Sequence, residues 1–288
     1  MKWRVGKVTV TKIVEMEVTG GSRFILPQAT YDEILPIDWL QPHFADERGR
    51  LKMSIHALVV ETPDGAKNGR RIIVDTCLGN DKKGRRIPNW NNLHLPFLAD
   101  LAAGGFARES IDTVLCTHLH VDHVGWNTML VDGEWKPTFP RARYLMGQTE
   151  FTHWRDQHGR DDMAAVFADS VAPVFGAGLV DLVDTDHKVC DEISLVPTLG
   201  HTPGHVSVRI VSDGEEALIT GDFMHHPCQI AHPEWSSTAD SDPAAAQATR
   251  ERMLAELSGR PVLVIGTHFA GITAGRIVRD GDAYRMEV

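Results

Sequence analysis

The sequence predicts an α/β protein, and three features of the chain carry that prediction. Short apolar runs with strand character recur along the chain as far as residue 265. Segments with helical spacing or helix-capping residues lie between several of these runs. Polar clusters rich in histidine and aspartate follow several of the apolar runs directly. We therefore expect strands and helices to share the chain, with its chemistry placed where strands end.

The strands are predicted from apolar runs and alternation. Residues 5–18 alternate between apolar and polar side chains, which indicates one or two strands. Two further runs, 55–62 and 71–74, indicate a pair of strands that ends at Asp75. The other predicted strands are 111–116, 144–146, 193–197, 207–211, 217–220 and 261–265.

Helices are predicted at 96–101, 148–157, 162–175 and 242–257. The last has the clearest ends, because Asp242 is a good N-cap, Pro243 suits the first turn and Gly259 follows the end. Residues 20–50 combine breakers with many apolar side chains. Both a loop packed on the core and a cap over the active site fit that composition.

Composition limits the kinds of protein the chain can be. With 288 residues and 42% hydrophobic residues it can bury a large core. A formal net charge of -10 disfavours nucleic acid or an anionic membrane as partner. The dense basic stretch from Lys82 to Arg86 leaves a local basic patch open, with a solvated loop as the alternative.

The amino terminus and the cysteines bear on location. The first residues lack the apolar core of a signal peptide, and no run approaches the ~18 apolar residues of a membrane helix. None of the four cysteines stands in a Cys-x-x-Cys pair, which argues against a cysteine zinc knuckle. We expect a cytoplasmic protein with reduced thiols.

Residues 114–125 concentrate potential metal ligands. His118, His120, Asp122 and His123 fall within six positions, directly after an apolar run. In an extended segment His118 and His120 point the same way. Imidazole and carboxylate groups are ligands that zinc accepts, and burying several of them is costly unless a cation compensates. The sequence therefore predicts a metal site here.

His-x-His-x-Asp-His is the signature of the metallo-β-lactamase-fold hydrolases, and the chain resembles that family over about residues 55–270. Four further marks follow the family's order: the turn after Asp75, the Gly-His-Thr-Pro-Gly-His loop at 200–205, Asp222 and His268. The resemblance implies a four-layer αβ/βα sandwich, with residues 1–288 as a single domain. For residues 20–50 a packed loop and a cap segment both stay open.

The resemblance also implies two divalent metal ions, zinc in the first place, with manganese, iron and cobalt as alternatives. One ion would be held by His118, His120 and His201, and the other by Asp122, His123 and His268. Asp222 would bridge them, and Asp75 would support the metal-binding loop. A hydroxide between the ions would attack the substrate, so no serine or cysteine nucleophile is needed.

Within the family, the chain looks most like the lactonase and organophosphate-hydrolase branch. Flavodiiron oxidases usually carry glutamate where His120 stands, and true β-lactamases lack a bridging aspartate such as Asp222. Quorum-signal lactonases place a tyrosine three residues after that aspartate, whereas this chain has His225. His225 would be catalytic beside Asp122 if it donates to the oxyanion or leaving group, and a plain loop histidine otherwise.

These observations predict a metal-dependent hydrolase of small lactones or esters. The expected partner is a small-molecule substrate, without nucleic acid or membrane, and a homodimer is left open. The rival enzyme is a hydrolase of phosphotriesters, thioesters or phosphodiesters on the same fold. The rival from another class is a metal-bound binding or sensor protein, which the complete set of ligands disfavours.

Overall fold

A computed structural model describes residues 1–63, 69–157 and 161–288 of the chain. They form two compact units. The first unit comprises Met1–Glu15 and Ile55–His187, and the second comprises Met16–Ser54 and Lys188–Val288. The expectation of a single domain over residues 1–288 stays a prediction.

The helices and strands are numbered in chain order. The helices are α1 (Tyr31–Ile34), α2 (Phe97–Ala103), α3 (Gln148–Arg155), α4 (Asp161–Val166), α5 (Ala172–Gly176), α6 (Cys228–Ala231) and α7 (Pro243–Leu257). The strands up to residue 183 are β1 (Lys2–Val5), β2 (Val8–Thr19), β3 (Lys52–Thr62), β4 (Arg70–Val74), β5 (Thr113–Leu115), β6 (Thr128–Val131), β7 (Glu134–Pro137), β8 (Arg143–Gly147) and β9 (Val180–Val183). The later strands are β10 (Ile193–Pro197), β11 (Val206–Ser212), β12 (Glu215–Ile219), β13 (Val262–Ile265), β14 (Ala274–Asp280) and β15 (Ala283–Glu287).

The first unit is built on a mixed sheet with the strand order β1-β2-β3-β4-β5-β8-β9 within the described residues. From β4 to β9 the neighbouring strands are parallel. Ile72, Ile73, Val114 and Leu115 are fully buried there, which explains why β4 and β5 are continuous apolar runs without alternation. Loops that carry the polar clusters leave the carboxyl ends of these two strands.

The second unit has a sheet with the order β10-β11-β12-β13-β14-β15, in which β12 and β13 are the parallel pair. Leu26, Ile34, Leu40 and Phe44 from residues 20–50 are buried in the core of this unit. That segment is therefore packed on the core, and its role as a cap stays a prediction. Helix α7 begins as expected, because Asp242 accepts a hydrogen bond from the Ala245 N–H group at 3.0 Å.

The predicted helix over residues 162–175 is wrong in its middle. Between α4 and α5 the residues Phe167–Val171 form a π-helical turn. Pro173 explains it, because proline has no N–H group and its ring excludes the carbonyl group four residues earlier. That carbonyl, of Asp169, instead accepts hydrogen bonds from Thr128 and from the Lys82 ammonium group, the latter at 3.1 Å.

The basic stretch 82–86 is neither a surface patch nor a fully solvated loop. Lys82 is fully buried, with Nζ 3.7 Å from the centre of the Trp135 ring. Arg85 donates a hydrogen bond to Asp169 Oδ1 at 2.8 Å. Burial lowers the pKa of Lys82 to about 7, although the Asp169 carboxylate opposes that shift. The sequence did not reveal this cluster because Asp169 lies far along the chain.

Several strands escaped the sequence analysis. These are the β6–β7 hairpin, β9 and the β14–β15 hairpin. The first turns at Asp132 and Gly133, both with positive φ, which suits an Asp-Gly hairpin turn. In the described part of the chain, no helix has the length and apolar character needed to cross a membrane.

Candidate metal centre

The first group of predicted ligands lies on the loop that leaves β5. His118 and His123 are fully buried, while His120 and Asp122 are half-buried. His118 Nε2 lies 3.1 Å from His120 Nδ1, and the rings of His118 and His123 are 3.9 Å apart at their centres. Asp122 Oδ1 lies 3.7 Å from His123 Nε2. The structure therefore brings the predicted ligands of this loop together.

Asp75, directly after β4, holds this loop in place. One carboxylate oxygen accepts a hydrogen bond from the Thr117 N–H group at 2.8 Å, and the other accepts from the Thr117 hydroxyl at 2.8 Å. The second oxygen also lies 2.9 Å from His123 Nδ1. The supporting role predicted for Asp75 is confirmed by these contacts, which fix the His123 ring from behind.

Two buried glutamates that the sequence analysis missed also support the loops. Glu15 accepts hydrogen bonds from the N–H groups of Leu78 and Gly79, at 2.8 and 3.1 Å, and from Trp126 Nε1 at 2.6 Å. Burial raises the pKa of Glu15, partly offset by these donors. Glu150 accepts from the Leu119 N–H group at 3.1 Å. No local pattern marks either residue, because their partners are distant in sequence.

Gly125 ends the histidine loop, and only glycine fits there. A Cβ atom on this residue would lie 1.9 Å from the carbonyl oxygen of Leu78. The Gly125 N–H group also donates to the Cys77 carbonyl at 2.7 Å. The loops after β4 and β5 therefore pack backbone against backbone, which limits the movement of the predicted ligands on the loop after β5.

The second group of predicted ligands converges on Asp222, which follows β12. His268 Nε2 lies 3.2 Å from the Asp222 carboxylate, and His201 Nε2 lies 3.6 Å from it. His225 Nε2 lies 3.3 Å from Asp222 Oδ2. All of these side chains are buried. The ligand atoms of His201, Asp222 and His225 lie within 4.8 Å of one another.

The predicted ligand histidines 118, 123, 201 and 268 share one feature, which is a hydrogen-bond acceptor at Nδ1. His201 faces Asp240 Oδ1 at 2.8 Å, and His268 faces the Ser54 carbonyl at 3.0 Å. His123 has Asp75, and His118 lies 3.1 Å from the Thr117 hydroxyl, whose own hydrogen goes to Asp75. Since these partners accept, each Nδ1 carries the hydrogen.

Asp240 is a functional candidate that sequence reasoning missed. Its other oxygen accepts from the Ser237 N–H group at 2.9 Å, so both carboxylate oxygens are used. Burial opposes ionisation of Asp240, but hydrogen bonding to His201 and the nearby imidazoles keep its pKa below the usual range. An ionised Asp240 can only accept, which fixes the His201 tautomer.

This pattern fits a metal site. With hydrogen on Nδ1, the Nε2 atoms of His201 and His268 lie toward the carboxylate oxygens of Asp222. Lone pairs that face a carboxylate in a buried place repel unless a proton or a cation lies between them. The donor set of imidazole and carboxylate is that of divalent zinc and its neighbours.

His205, in the same loop as His201, supports the backbone of Asp222. Its Nε2 atom accepts a hydrogen bond from the Asp222 N–H group at 2.7 Å, and its Nδ1 atom lies 2.9 Å from the Thr198 carbonyl. Gly200 precedes this loop with φ of 125°, and a Cβ atom there would lie 2.2 Å from the Ala246 nitrogen. The loop therefore packs directly on α7.

The family model of the metallo-β-lactamase superfamily matches residues 52–268, which is more than half of the chain. The chain belongs to the metallo-β-lactamase superfamily. The predicted fold class is confirmed: this is an α/β protein with the metallo-β-lactamase fold, and it is a hydrolase of that superfamily. Among curated proteins, none matches the sequence.

Solved structures of the metallo-β-lactamase fold resemble the whole chain. AidC, a dizinc quorum-quenching lactonase solved with a product, has a TM-score of 0.78 at 18% identity and covers 100% of this chain and 96% of its own. The hydrolase AbOPH has a TM-score of 0.77 at 24% identity, with 99% and 95% covered. A probable metal-dependent hydrolase from Staphylococcus aureus has a TM-score of 0.75 at 20% identity, with 99% of both chains covered.

His225 differs from the other histidines of this metallo-β-lactamase-fold chain. Among the described residues, its buried Nδ1 atom has no hydrogen-bond partner. Its backbone N–H group donates to Gln229 Oε1 at 2.7 Å. Burial lowers the pKa of the imidazole to about 3, with Asp222 opposing the shift. The neighbouring His226 instead uses both ring nitrogens, toward the Phe44 carbonyl and the Cys228 N–H group.

The aromatic and sulfur-containing side chains near these loops belong to the cores. Trp126 is buried in the core of the first unit, and Phe223, Met224 and Trp235 are buried in the core of the second. Cys116 and Cys228 are free and buried, and burial raises the pKa of both thiols. Neither thiol has the low pKa that a cysteine nucleophile needs.

Proposed function

We propose that the protein is a dinuclear metal-dependent hydrolase of small lactones or esters. The observation that carries the proposal is the pair of buried imidazoles, His201 and His268, whose Nδ1 atoms face hydrogen-bond acceptors while their Nε2 atoms lie toward the Asp222 carboxylate. Metal-ligating histidines almost always donate the N–H group of their other ring nitrogen to a carboxylate, a backbone carbonyl or water. Superfamily membership supports the hydrolase class.

The ligands are proposed by matching each residue to the family pattern. His118, His120 and His201 would hold one ion, and Asp122, His123 and His268 the other. Asp222 would supply a bridging carboxylate. Zinc is the first choice of metal, because AidC, which has the same fold, is a dizinc enzyme. Manganese, iron and cobalt accept the same donors and remain alternatives.

The residues around these ligands would keep the ligand atoms pointing toward the metal ions. When bound, two divalent ions activate water as a nucleophile and polarise the oxygen of a substrate carbonyl group. Asp75 and Asp240 hold the hydrogens on Nδ1 of His123 and His201, so that Nε2 is left for the metal. Asp122 would hold the second ion and orient the nucleophile.

His225 would be a hydrogen-bond donor to the substrate rather than a metal ligand. A hydrogen on Nδ1 would be buried without an acceptor among the described residues, whereas a hydrogen on Nε2 faces Asp222 Oδ2 at 3.3 Å. In this tautomer the donor lies beside the Asp222 carboxylate. There it can stabilise negative charge on the carbonyl oxygen or on the leaving oxygen of an ester bond.

The substrate class is proposed from two supports. AidC is a lactonase of the same fold that covers the whole chain. The position three residues after Asp222, where related lactonases carry a tyrosine, here carries a different donor, His225. We therefore propose a lactone or ester of small size, with an acyl group or ring that need not be that of the homoserine-lactone signals. A cytoplasmic location and a homodimer stay predictions.

The test combines metal content with a substrate panel. The zinc-loaded wild type should hold two ions per chain and hydrolyse a lactone or an aryl ester, and Asp122→Ala should remove turnover while circular dichroism stays that of a folded protein. Asp100→Ala, at an exposed position of α2, is the matched control and should keep full turnover. Turnover of a phosphotriester alone, or one ion per chain after saturation, would contradict the proposal.

A further inference from the structure

One fully buried arginine holds the loop that carries His225. Arg250, in the middle of α7, donates to the carbonyl oxygens of Phe223, Trp235 and Pro233, at 3.0, 2.8 and 2.7 Å. These carbonyls lie at the two ends of residues 223–235, the segment that begins directly after Asp222. The guanidinium group therefore joins the start and the end of that segment.

Gln229 links the carbonyl groups held by Arg250 to His225. It is fully buried, and its Oε1 atom accepts the His225 N–H group at 2.7 Å. Its Nε2 group donates to the Trp235 carbonyl at 2.8 Å, the same oxygen that accepts from Arg250. A continuous chain of hydrogen bonds thus runs from the Arg250 guanidinium through Trp235 and Gln229 to the backbone of His225.

A buried guanidinium group that bonds to carbonyl oxygens is costly to maintain when no carboxylate shares its charge, and among the described residues none lies at hydrogen-bonding distance from Arg250. Burial lowers the pKa of Arg250, which reflects the same cost. An apolar residue of similar size in α7 would cost less if packing were all that the position needed. The hydrogen bonds to the three carbonyl oxygens explain why an arginine occupies this position, because they fix the backbone on either side of His225.

We propose that Arg250 and Gln229 form a positioning pair that fixes the direction of the His225 imidazole beside Asp222, and thereby sets the preference of the enzyme for substrates with a poor leaving group. The inference rests on the proposed hydrolase function. The imidazole of His225 has no acceptor at Nδ1 among the described residues, so the ring itself is not anchored there. Its Nε2 atom faces Asp222, and the direction of the ring depends further on the backbone that the pair holds.

The chemistry separates two substrates. An aliphatic lactone opens to an alkoxide, whose negative charge needs a hydrogen-bond donor, whereas p-nitrophenolate delocalises its charge and needs little help. A displaced donor should therefore harm the lactone more than the nitrophenyl ester. A pair that merely stabilised the fold would lower both activities by the same factor.

The variants are Gln229→Met and Arg250→Lys, with Gln247→Met and Arg252→Lys on the exposed side of α7 as matched controls. Zinc-loaded proteins are assayed on an aliphatic γ-lactone and on p-nitrophenyl butyrate. Since displacement of a group by 1 Å can cost a factor of ~10², we expect kcat on the lactone to fall about tenfold or more in each variant. Activity on the ester should fall less than about twofold. The controls should match the wild type on both substrates.

A double-mutant cycle with His225→Ala tests whether the pair acts through His225. Once His225 is removed, Gln229→Met should cause no further loss on the lactone. A readout that does not depend on turnover is the histidine ¹⁵N spectrum of the zinc-loaded protein, in which the His225 signal is assigned by its absence in His225→Ala. We expect the Nε2–H form in the wild type and a shifted or averaged signal in Gln229→Met.

Two outcomes would overturn the inference. The first is an equal loss on both substrates that adds fully to the loss in His225→Ala. The second is an unchanged His225 signal in both Gln229→Met and Arg250→Lys, provided that both variants fold. If the zinc-loaded wild type hydrolysed neither substrate, the proposed function would be wrong, and the imidazole signal alone would then decide the inference.

Discussion

Replacing Asp240 by asparagine exchanges one oxygen of the carboxylate that faces His201 for an NH₂ group. The wild-type carboxylate faces His201 Nδ1 at 2.8 Å through Oδ1 and the Ser237 N–H group at 2.9 Å through Oδ2. Asparagine has one oxygen for these two donors. If the oxygen stays on Ser237, the amide N–H₂ group faces His201 and favours hydrogen on Nε2, which blocks metal binding at that nitrogen.

The expected size of the effect follows from the contacts. Loss of the partner that orients a metal-ligating histidine typically weakens metal affinity ~10–100-fold, or about 1.4–2.7 kcal/mol. Both side chains are fully buried, so solvent cannot replace the missing acceptor. The metal-free protein should also lose about 1.5–3 kcal/mol of unfolding free energy, the usual contribution of a hydrogen bond to a charged group.

Zinc affinity is measured by competition with a coloured chelator, and stability by urea unfolding of the metal-free protein. The matched control is Asp242→Asn, two residues along the chain. Asp242 caps α7 through the Ala245 N–H group, and asparagine caps helices equally well, so affinity and stability should stay near the wild type. If Asp240→Asn bound two zinc ions with wild-type affinity, the role given to Asp240 would be refuted.

Two further predictions concern buried charges outside the ligand set. Glu15→Ala leaves the N–H groups of Leu78, Gly79 and Trp126 without their acceptor. Urea unfolding should therefore show a loss of ~1–3 kcal/mol of unfolding free energy for each donor that water does not reach. Glu17→Ala, on the exposed side of β2, is the control and should show little change. Lys82 has a folded pKa of about 7 against an ordinary value of 10.5, so unfolding takes up a proton between these values and the unfolding free energy should rise with pH across that window, by a few kcal/mol at most. Urea unfolding at pH 7 and 9.5 should show this rise reduced in Lys82→Met and retained in Lys83→Met. An identical pH slope in Lys82→Met and the wild type would contradict the prediction.

The sequence predicted a helix or strand best where the residues that mark its start and its end lie within the same segment. Helix α7 has its cap, its proline and its closing glycine within the segment, and it begins at Pro243 as predicted. The segment 162–175 was predicted as one helix, because helical spacing does not show that the Asp169 carbonyl has partners elsewhere. Lys82 and Arg85 looked like solvent-exposed charges for the same reason, since their partner Asp169 lies more than 80 residues away.

The sequence by itself determined the superfamily and the residues proposed as ligands, because each ligand lies in a short motif directly after an apolar strand. Apart from Asp75, the groups that hold those ligands were decided only by the tertiary structure. His201 meets Asp240 across 39 residues, Trp126 meets Glu15 across 111, and Phe223 meets Arg250 across 27. The physical reason is that a ligand must be of a particular chemical type, which leaves a local motif, whereas a support can come from any element that the fold brings within hydrogen-bonding distance.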